Sequence, residues 1–157
     1  MNALIDPQVI QALYRASQAG VKIDLIVRGM CALRPGVPGV SDNIQVRSVI
    51  GRFLEHTRVY YFQNGGEPKL YLSSADWMER NFFNRVEAAF PIEDVRMQRR
   101  VMAESFDEYL ADNCQAWVLQ PDGRYKRLRP AAGRRRSAQE TLLAMLAGDQ
   151  PVARAAS

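Results

Sequence analysis

At the start of the chain the hydrophobic pattern changes from helical to extended. Asp6 followed by Pro7 is typical of a helix N-terminus, because an aspartate side chain can cap the helix and proline has no N–H to satisfy. Apolar residues at helical spacing follow up to Tyr14, and Gly20 can end the helix in a left-handed conformation. The β-prone residues 21–27 become continuously apolar, which predicts a central strand covered on both faces.

The next segment predicts a shaped loop, a second helix and a hairpin. Prolines and glycines make residues 30–41 a loop, and Asp42 with Gln45 is compatible with a capping box at a helix start. Two strand patterns, at 58–62 and 69–72, flank a glycine-rich turn and predict the hairpin. The predicted buried face of the second helix consists of Val46, Val49, Ile50, Phe53 and Leu54.

The second half of the chain continues to mix strands with helices. Pro121, Asp122 and Gly123 give a turn signal between two short strand patterns, and Ser137 with Glu140 fits a capping box for a last helix. The whole pattern predicts the α/β class, with a mixed β-sheet flanked by helices, a C-terminal hairpin and a final helix. The other elements expected here are helices at 77–81 and 94–112 and strands at 84–90, 116–119 and 125–128.

We expect one domain over residues 1–130, followed by a basic linker and C-terminal helix or tail over 131–157. The chain of 157 residues, 47% hydrophobic and 24% charged, is typical of a soluble globular protein with a hydrophobic core. No apolar run approaches membrane-spanning length, and a signal-peptide pattern is missing at the N-terminus. Cys31 and Cys114 fit no metal-ligand spacing, which favours buried free thiols in a cytoplasmic protein.

Positive charge is concentrated in the last third of the chain. The sequence has 21 Lys and Arg residues against 17 Asp and Glu residues, which is a modest excess. Such a basic cluster can face a polyanion, such as nucleic acid or a phosphate polymer, or it can be a solvated surface or tail. The sequence leaves both interpretations open. The basic cluster consists of Arg124, Lys126, Arg127, Arg129, Arg134, Arg135 and Arg136.

His56 is the only histidine in the chain and a candidate phosphoryl carrier or proton shuttle. The imidazole side chain titrates near neutral pH, so it can take up or release a proton under physiological conditions. His56 lies where the predicted second helix meets the next strand, and Arg58 follows two residues later. The alternative is a capping histidine, whose cation would favour the negative end of the helix dipole.

Three candidate elements for phosphate binding converge if the strands lie side by side: Arg28 at one strand end, the segment from His56 to Arg58, and the segment Ser73-Ser74-Ala75-Asp76 at a third strand end. Ligands of open α/β sheets often collect at strand ends, where loops converge. The planar guanidinium of arginine suits phosphate oxygens, and a phosphate would offset the positive charges around the histidine. The serine hydroxyls would orient the phosphate or hold the imidazole tautomer.

Plainer explanations exist for these residues. Arg28 could form a surface ion pair with Asp24 or Glu55, and the two serines could cap the end of a strand. Aromatic residues at 60–62 are typical of a sheet face, so no specific binding of nucleic acid is expected.

Three acidic residues in this region, Asp76, Glu79 and Glu87, fit no standard metal site, and no metal ligand is predicted. Ion pairs of these carboxylates with Arg80 or Arg85 are expected instead.

Four blocks of the sequence resemble the C-terminal domain of bacterial polyphosphate kinase of the histidine-dependent type. They are LIVRGMCALRP at 25–35, GVSDNI at 39–44, GRFLEHTRVY at 51–60 and LSSADWMERNFFNRVE at 72–87. The resemblance runs in order from about Ala3 to Pro130, and the tail carries little of it. Such long contiguous blocks are far more specific than a short motif.

The resemblance implies that the chain is the second of two related phospholipase-D-like domains that face each other. The family transfers the terminal phosphate of ATP, reversibly, to inorganic polyphosphate through a phosphohistidine in the first domain, which has no counterpart here. His56 matches the second essential histidine, Arg28 matches an arginine that contacts the nucleotide phosphates, and Arg58 stands where phospholipase D motifs have a lysine. The family's magnesium-binding and adenine-stacking residues also lie upstream.

The partners implied by the resemblance are ATP or ADP, inorganic polyphosphate and the upstream domains of the same enzyme, as a homo-oligomer that is cytoplasmic or peripheral to the inner membrane. By itself the chain is expected to bind nucleotide or polyphosphate weakly and to be inactive. One alternative is a phosphodiesterase of the phospholipase D superfamily that acts as a dimer. The other is a non-catalytic module that binds polyanions through the basic cluster.

Overall fold

Residues 1–130 and 135–148 are described by the computed structural model of the chain. Helices and strands mix along the sequence, and most strands are short. The elements in chain order are α1 (Pro7–Gln18), β1 (Ile23–Ile26), β2 (Ile44–Val49), β3 (Val59–Phe62), β4 (Lys69–Ser73), α2 (Glu79–Phe83), β5 (Ala89–Pro91), α3 (Val95–Met102), α4 (Glu108–Ala111), β6 (Ala116–Leu119), β7 (Tyr125–Arg127) and α5 (Ala138–Leu146).

The strands form two separate sheets. A four-stranded sheet has the order β1-β2-β6-β7, in which β1 and β2 are parallel and the other neighbours are antiparallel. A three-stranded antiparallel sheet has the order β3-β4-β5, and β3 and β4 are the predicted hairpin. The expected class, mixed sheet with flanking helices, a C-terminal hairpin and a final helix, is confirmed.

The main hydrophobic core lies between the four-stranded sheet and α1. Its fully buried members include Leu4, Leu33, Ile44 and Val46. Burial of a leucine or isoleucine side chain contributes about 1.5–3 kcal/mol, so this cluster is a main source of stability. The backbone of Leu4 also pairs with Cys31 and Trp77, which ties the N-terminal segment to two strand-end loops.

The first helix begins and ends as the sequence predicts. The carboxylate of Asp6 accepts a hydrogen bond from the N–H of Val9 at 2.9 Å, and Pro7 occupies the first helical position. Beyond the helix Gly20 has a φ of 87°, the left-handed conformation that a residue with a Cβ rarely adopts. Local cap chemistry therefore decides both ends of α1.

The predicted second helix is wrong, because residues 44–49 form strand β2. Ile44, Val46 and Ser48 are buried on alternate positions, which is the two-residue period of a strand. Apolar residues at 46, 49, 50 and 53 fit a helical period equally well, so periodicity alone could not decide. β2 lies between β1 and β6, and it is this strand, not β1, that is central. β1 lies at the edge of its sheet, which corrects the expectation for residues 21–27.

The predicted helix at 94–112 is confirmed, with one irregularity. Asp94 caps it by accepting a hydrogen bond from the N–H of Met97 at 2.9 Å. A π-helical turn at Ala103–Asp107 separates α3 from α4. The strand expected at 84–90 is much shorter, since only β5 at Ala89–Pro91 pairs with a neighbour.

The last helix is capped from a distance rather than by its own first residue. The side chain of Ser137 makes no capping bond, so the predicted capping box with Glu140 does not form. The fully buried carboxylate of Asp112 instead accepts a hydrogen bond from the N–H of Ala138 at 2.8 Å. The same carboxylate accepts three backbone N–H bonds at the start of β6, so it joins the two elements.

α5 packs on the rest of the chain. Ala138 is buried with Val49, Tyr109 and Ala116 in a second hydrophobic cluster. Residues 131–134 and 149–157 lie outside the described residues, so the boundary at 130/131 and Arg134 of the basic cluster stay predictions. Across the described ranges, no helix combines the length and apolar character needed to cross a membrane.

Candidate functional site

His56 lies on the connection between β2 and β3, residues 50–58, which has no regular secondary structure. This connection is held in place by contacts with the C-terminal half of the chain. The carboxylate of Glu55 accepts hydrogen bonds from the hydroxyl of Tyr109 and, at 2.9 Å, from the side-chain amide of Gln139 in α5. Burial and the bond to Glu55 raise the pKa of Tyr109, so its hydroxyl stays a donor. The residue before His56 is therefore fixed.

The imidazole of His56 is exposed and lies beside the guanidinium of Arg58. One terminal nitrogen of Arg58 is 3.2 Å from Nδ1 of His56, and the other is 3.5 Å from Nε2. A guanidinium can only donate hydrogen bonds, so a bond to Nδ1 needs an unprotonated ring nitrogen and hence a neutral imidazole. The imidazole is thus open to solvent, whereas the guanidinium beside it is largely covered.

Arg58 is held from behind by the buried carboxylate of Asp76. Oδ2 of Asp76 accepts a hydrogen bond from Arg58 at 2.9 Å, and the two side chains are only 3% and 11% exposed. Oδ1 accepts the backbone N–H groups of Asn2 and Ala3 at 2.6 and 3.2 Å. Burial by itself would raise the pKa of Asp76, but the bonds from Arg58, Asn2 and Ala3 outweigh it and hold that pKa below its ordinary value.

Arg28 reaches the same cluster through Asn2. One terminal nitrogen of its guanidinium donates to the side-chain oxygen of Asn2 at 2.6 Å. Gly29 permits this approach, because a Cβ there would lie 3.0 Å from the carbonyl oxygen of Asn2. The pKa of the Met1 amino group is lowered to about 6, first by burial, and it also senses Asp76, Arg58 and Arg28. These three side chains therefore lie within electrostatic reach of one atom.

The cluster has more positive than negative charge. The cluster contains two guanidiniums, those of Arg28 and Arg58, and the carboxylate of Asp76. Only Arg58 bonds this carboxylate, whereas Arg28 bonds the amide of Asn2. Over residues 1–130 and 135–148, Arg28 forms no salt bridge, so the expected alternative of an ion pair with Asp24 or Glu55 does not occur. The Nε atoms of both arginines are also buried without a hydrogen-bond partner in the described part of the chain. This excess of donors and charge favours an anion.

The two serines lie next to the cluster but use their hydroxyls elsewhere. The backbone N–H of Ser73 donates to the carbonyl of Arg58 at 3.0 Å, so the β3–β4 pairing brings Ser73 beside Arg58. Its hydroxyl accepts a bond from the N–H of Ala75 at 3.0 Å. The hydroxyl of Ser74 donates to the carboxylate of Glu87. A phosphate role for either serine stays a prediction.

Aromatic packing fixes the loop that carries Asp76. The rings of Tyr60 and Trp77 stack with centroids 4.8 Å apart and an interplanar angle of 5°. The hydroxyl of Tyr60 donates to the carbonyl of Ala75 at 2.7 Å, directly before Asp76. The aromatic face also lines a groove of about 320 Å³ with Phe62 and Tyr71. The aromatic residues of β3 thus pack on the face of the sheet and hold the loop that carries Asp76 in place.

Sequence reasoning missed two residues of the cluster and misjudged a third. Asn2 carries no motif, and Gln139 lies far away in the tail, so neither gives a sequence signal. Asp76 pairs with Arg58 rather than with the expected Arg80 or Arg85. The sequence indicates Asp76 only by its place two residues after Ser74, close to the end of a strand. Among the described residues, no group of three or more His, Cys, Asp or Glu side chains that could hold a metal ion forms.

The basic cluster is partly neutralised within the described ranges. Arg135 pairs with Glu140 at 2.9 Å and Arg136 with Glu108 at 2.8 Å. Arg127 lies over the ring of Trp117 at 5.8 Å, a cation–π arrangement. These arginines thus contact residues of the C-terminal half of the chain, far from His56 in the sequence.

The two cysteines, Cys31 and Cys114, are free thiols. Both are half-buried, whereas the sequence predicts that they are buried.

The architecture defines the class of protein first. The crystal structure of polyphosphate kinase from Porphyromonas gingivalis matches this fold with a TM-score of 0.88 and 40% sequence identity, over 94% of this chain and 22% of that chain. A mixed α/β domain of this kind thus has a counterpart in the crystal structure of a polyphosphate kinase.

Sequence comparison then gives the family. Polyphosphate kinase from Pseudomonas aeruginosa is 63% identical over 155 residues, or 98% of the chain, and that from Pseudomonas putida is 64% identical over 146 residues, or 92%. The chain spans about a fifth of the length of these relatives, 22% and 20%. The family model for polyphosphate kinase C-terminal domain 2 matches residues 1–139, and the chain belongs to this family. The resemblance stated above is confirmed.

Proposed function

We propose that this chain contributes His56 and Arg28, with Arg58 beside them, to the site where a polyphosphate kinase transfers the terminal phosphate of ATP to inorganic polyphosphate. One observation carries the proposal: the guanidinium of Arg28 bonds the neutral amide of Asn2 instead of a carboxylate. Its positive charge is therefore available to a phosphate. The substrates follow from the names of the relatives, which are polyphosphate kinases.

Two transfers make up the reaction. In the first, the bond between the terminal phosphorus and the bridging oxygen of ATP breaks, a bond to an imidazole nitrogen forms, and ADP leaves. In the second, that phosphorus–nitrogen bond breaks and a bond to an oxygen at the end of the polyphosphate chain forms. The chain has a single histidine, and the resemblance assigns the phosphorylated histidine to an upstream domain.

In this scheme His56 is not the phosphorylated residue but acts on the phosphate as a hydrogen-bond or proton donor. Its ring donates a hydrogen bond or a proton to the phosphate that is transferred or leaves, while Arg28 and Arg58 offset the negative charge of the phosphates. Phosphoryl transfer depends on positioning and charge stabilisation more than on covalent chemistry by the protein, and this set of donors suits it. Removal of one such group from an intact enzyme typically costs about 10² to 10⁴ in rate.

A chimera tests the proposal. The corresponding segment of the Pseudomonas aeruginosa polyphosphate kinase is replaced by this chain, and ATP labelled at the terminal phosphate is supplied. Labelled polyphosphate is expected from the chimera and no labelled protein from the chain alone. His56→Ala in the chimera is expected to lower polyphosphate synthesis by about 10² to 10⁴, and Arg28→Gln to raise the KM for ATP.

The matched control is Arg96→Gln, which removes an arginine whose side chain is 93% exposed on α3. It is expected to leave synthesis unchanged. Label on His56 of the chain alone would overturn the donor role, and full activity of the His56→Ala chimera would overturn the site. Hydrolysis of a phosphodiester by the chain alone would favour the phosphodiesterase, and polyphosphate binding that is lost without the basic cluster would favour the polyanion-binding module.

The proposed setting follows from the substrates. We propose that the enzyme works in the cytoplasm, where ATP is available, and that the upstream domains of the same enzyme are the direct partners of this chain. A homo-oligomer and a peripheral position at the inner membrane stay predictions. The resemblance assigns magnesium to residues upstream, and among the described residues no group of three or more possible metal ligands forms.

A further inference from the structure

The geometry points to Asp76 as a positioning residue that holds Arg58 against His56 and, through Asn2, fixes the place of Arg28. This inference rests on the proposed function, because it concerns the same phosphate site. Asp76 itself is 2% exposed, so it cannot touch a substrate that approaches from solvent. Any effect of Asp76 on the site therefore acts through the residues that it bonds, which are Asn2, Ala3 and Arg58.

The first link runs from Asp76 to the imidazole. Nη2 of Arg58 is 2.9 Å from Oδ2 of Asp76 and 3.5 Å from Nε2 of His56, so one nitrogen faces both groups. The other terminal nitrogen bonds Nδ1 and the carbonyl of His56 at 3.2 and 3.3 Å. A free arginine side chain loses rotamer entropy when it is held in one place. Because Asp76 already holds Arg58 in one position, this entropy is lost on folding and not when a phosphate binds.

The second link runs from Asp76 to Arg28. Oδ1 of Asp76 bonds the backbone N–H of Asn2 at 2.6 Å, and the side chain of Asn2 bonds Arg28 at 2.6 Å. One carboxylate therefore sets the positions of both guanidiniums, although the arginines lie 30 residues apart in the sequence. Cations fixed in advance at the place where phosphate charge develops need no rearrangement during the reaction.

A purely structural role for Asp76 makes different predictions. Its two backbone bonds, to Asn2 and Ala3, would anchor the N-terminal segment even without Arg58. Asp76→Asn separates the two roles, because the amide keeps an oxygen for the backbone N–H groups but turns a donor toward the guanidinium. Arg58→Met removes the link from the other side and leaves the backbone bonds intact.

The first readout needs no activity. The 157-residue chain has one histidine, so its imidazole gives a single set of NMR signals. Asp76→Asn and Arg58→Met are expected to move the His56 signals to similar positions, and the control Glu104→Gln, which breaks the pair with Arg100, is expected to leave them in place. If Asp76→Asn fails to fold, Asp76→Glu replaces it, because it keeps the carboxylate but shifts it by one methylene group, so that Arg58 and the His56 signals are expected to move.

The second readout is kinetic and uses the chimera with the Pseudomonas aeruginosa enzyme. Asp76→Asn is expected to lower kcat by about 10² with a smaller change in KM, as a misplacement of about 1 Å can. In the Arg58→Met background the same substitution is expected to change kcat less than about twofold, since the link to Arg58 is already gone and the amide oxygen still accepts the N–H of Asn2 that leads to Arg28.

Specific results would overturn the inference. These are an unmoved His56 signal in Asp76→Asn, or in Asp76→Glu where that variant replaces it, and an equal loss of kcat with and without Arg58. An inactive unsubstituted chimera would count against the proposed function alone, because the NMR link between Asp76 and His56 would still be measured.

Discussion

The side-chain amide of Gln139 bonds both backbone polar groups of Phe53. Its oxygen accepts the N–H of Phe53 at 2.9 Å, and its nitrogen donates to the carbonyl of Phe53 at 2.8 Å. The amide thus replaces the strand partner that the connection between β2 and β3 lacks. A helix at the far end of the chain therefore fixes the backbone three residues before His56.

Gln139→Ala should loosen this connection. The substitution leaves the N–H and carbonyl of Phe53 without their partner, and loss of buried partners costs about 1–3 kcal/mol. We expect a decrease of that size in the free energy of unfolding in urea and faster hydrogen exchange at Phe53. Gln18→Ala is the control, since its exposed amide makes one bond, to the carbonyl of Gly39. Equal stability of the two variants would contradict the role given to Gln139.

Gly51→Ala should act on the same contact from the other side. A Cβ at Gly51 would lie 2.3 Å from Oε1 of Gln139 and 2.6 Å from Oε1 of Gln115, which is far inside van der Waals contact. We expect a loss of about 1–3 kcal/mol, measured by urea unfolding. The loss should shrink when Gln139 is already alanine, because the displaced group is then absent. Full additivity of the two substitutions would show that the clash is relieved elsewhere.

Stability should fall in acid because of Asp76. Its pKa is lower in the folded chain than in the unfolded one, so its contribution to stability is complete above the unfolded value of about 4 and is lost as the pH falls through the folded value. Urea unfolding at a series of pH values from about 6 down to about 2 is expected to show this loss. Asp76→Asn should flatten that part of the curve. An unchanged acid slope in the variant would assign the loss to other carboxylates.

Asn2→Asp should weaken phosphate binding more than Asn2→Ala. Aspartate gives Arg28 the carboxylate partner that it lacks and cancels the charge reserved for a phosphate, whereas alanine only frees the guanidinium. In the chimera we expect Asn2→Asp to raise the KM for ATP about tenfold, equivalent to about 1.4 kcal/mol of lost interaction. Asn2→Ala should cause a smaller change. The reverse order would show that position, not charge, governs the action of Arg28.

Local signals predicted the elements whose ends depend on neighbours in sequence. The Asp6 cap and the turn between β3 and β4 are decided by a few adjacent residues, and both are found as expected. The apolar spacing of β2 fits both the helical and the strand period, so the sequence alone predicts a helix where the structure has a strand. Only its place between β1 and β6 selects the strand, and that pairing joins residues far apart in the chain.

The same distinction applies to the site. Arg28, His56 and Arg58 are visible in the sequence because charged and titratable side chains at strand ends have an evident chemistry. Asp76 was visible too, but its partner was not, because the β3–β4 pairing rather than sequence proximity sets it beside Arg58. Ordinary polar residues such as Asn2 and Gln139 acquire a role only through tertiary contact.

His56 lies on a stretch that crosses from one sheet to the other, and this arrangement has a mechanical consequence. Arg28 extends from the four-stranded sheet, whereas Arg58 and Asp76 flank strands of the three-stranded sheet. A phosphate chain bound by both arginines would link the two sheets. The rate of turnover would then depend on the relative position of the two sheets, since a displacement of about 1 Å is enough to slow such chemistry about a hundredfold.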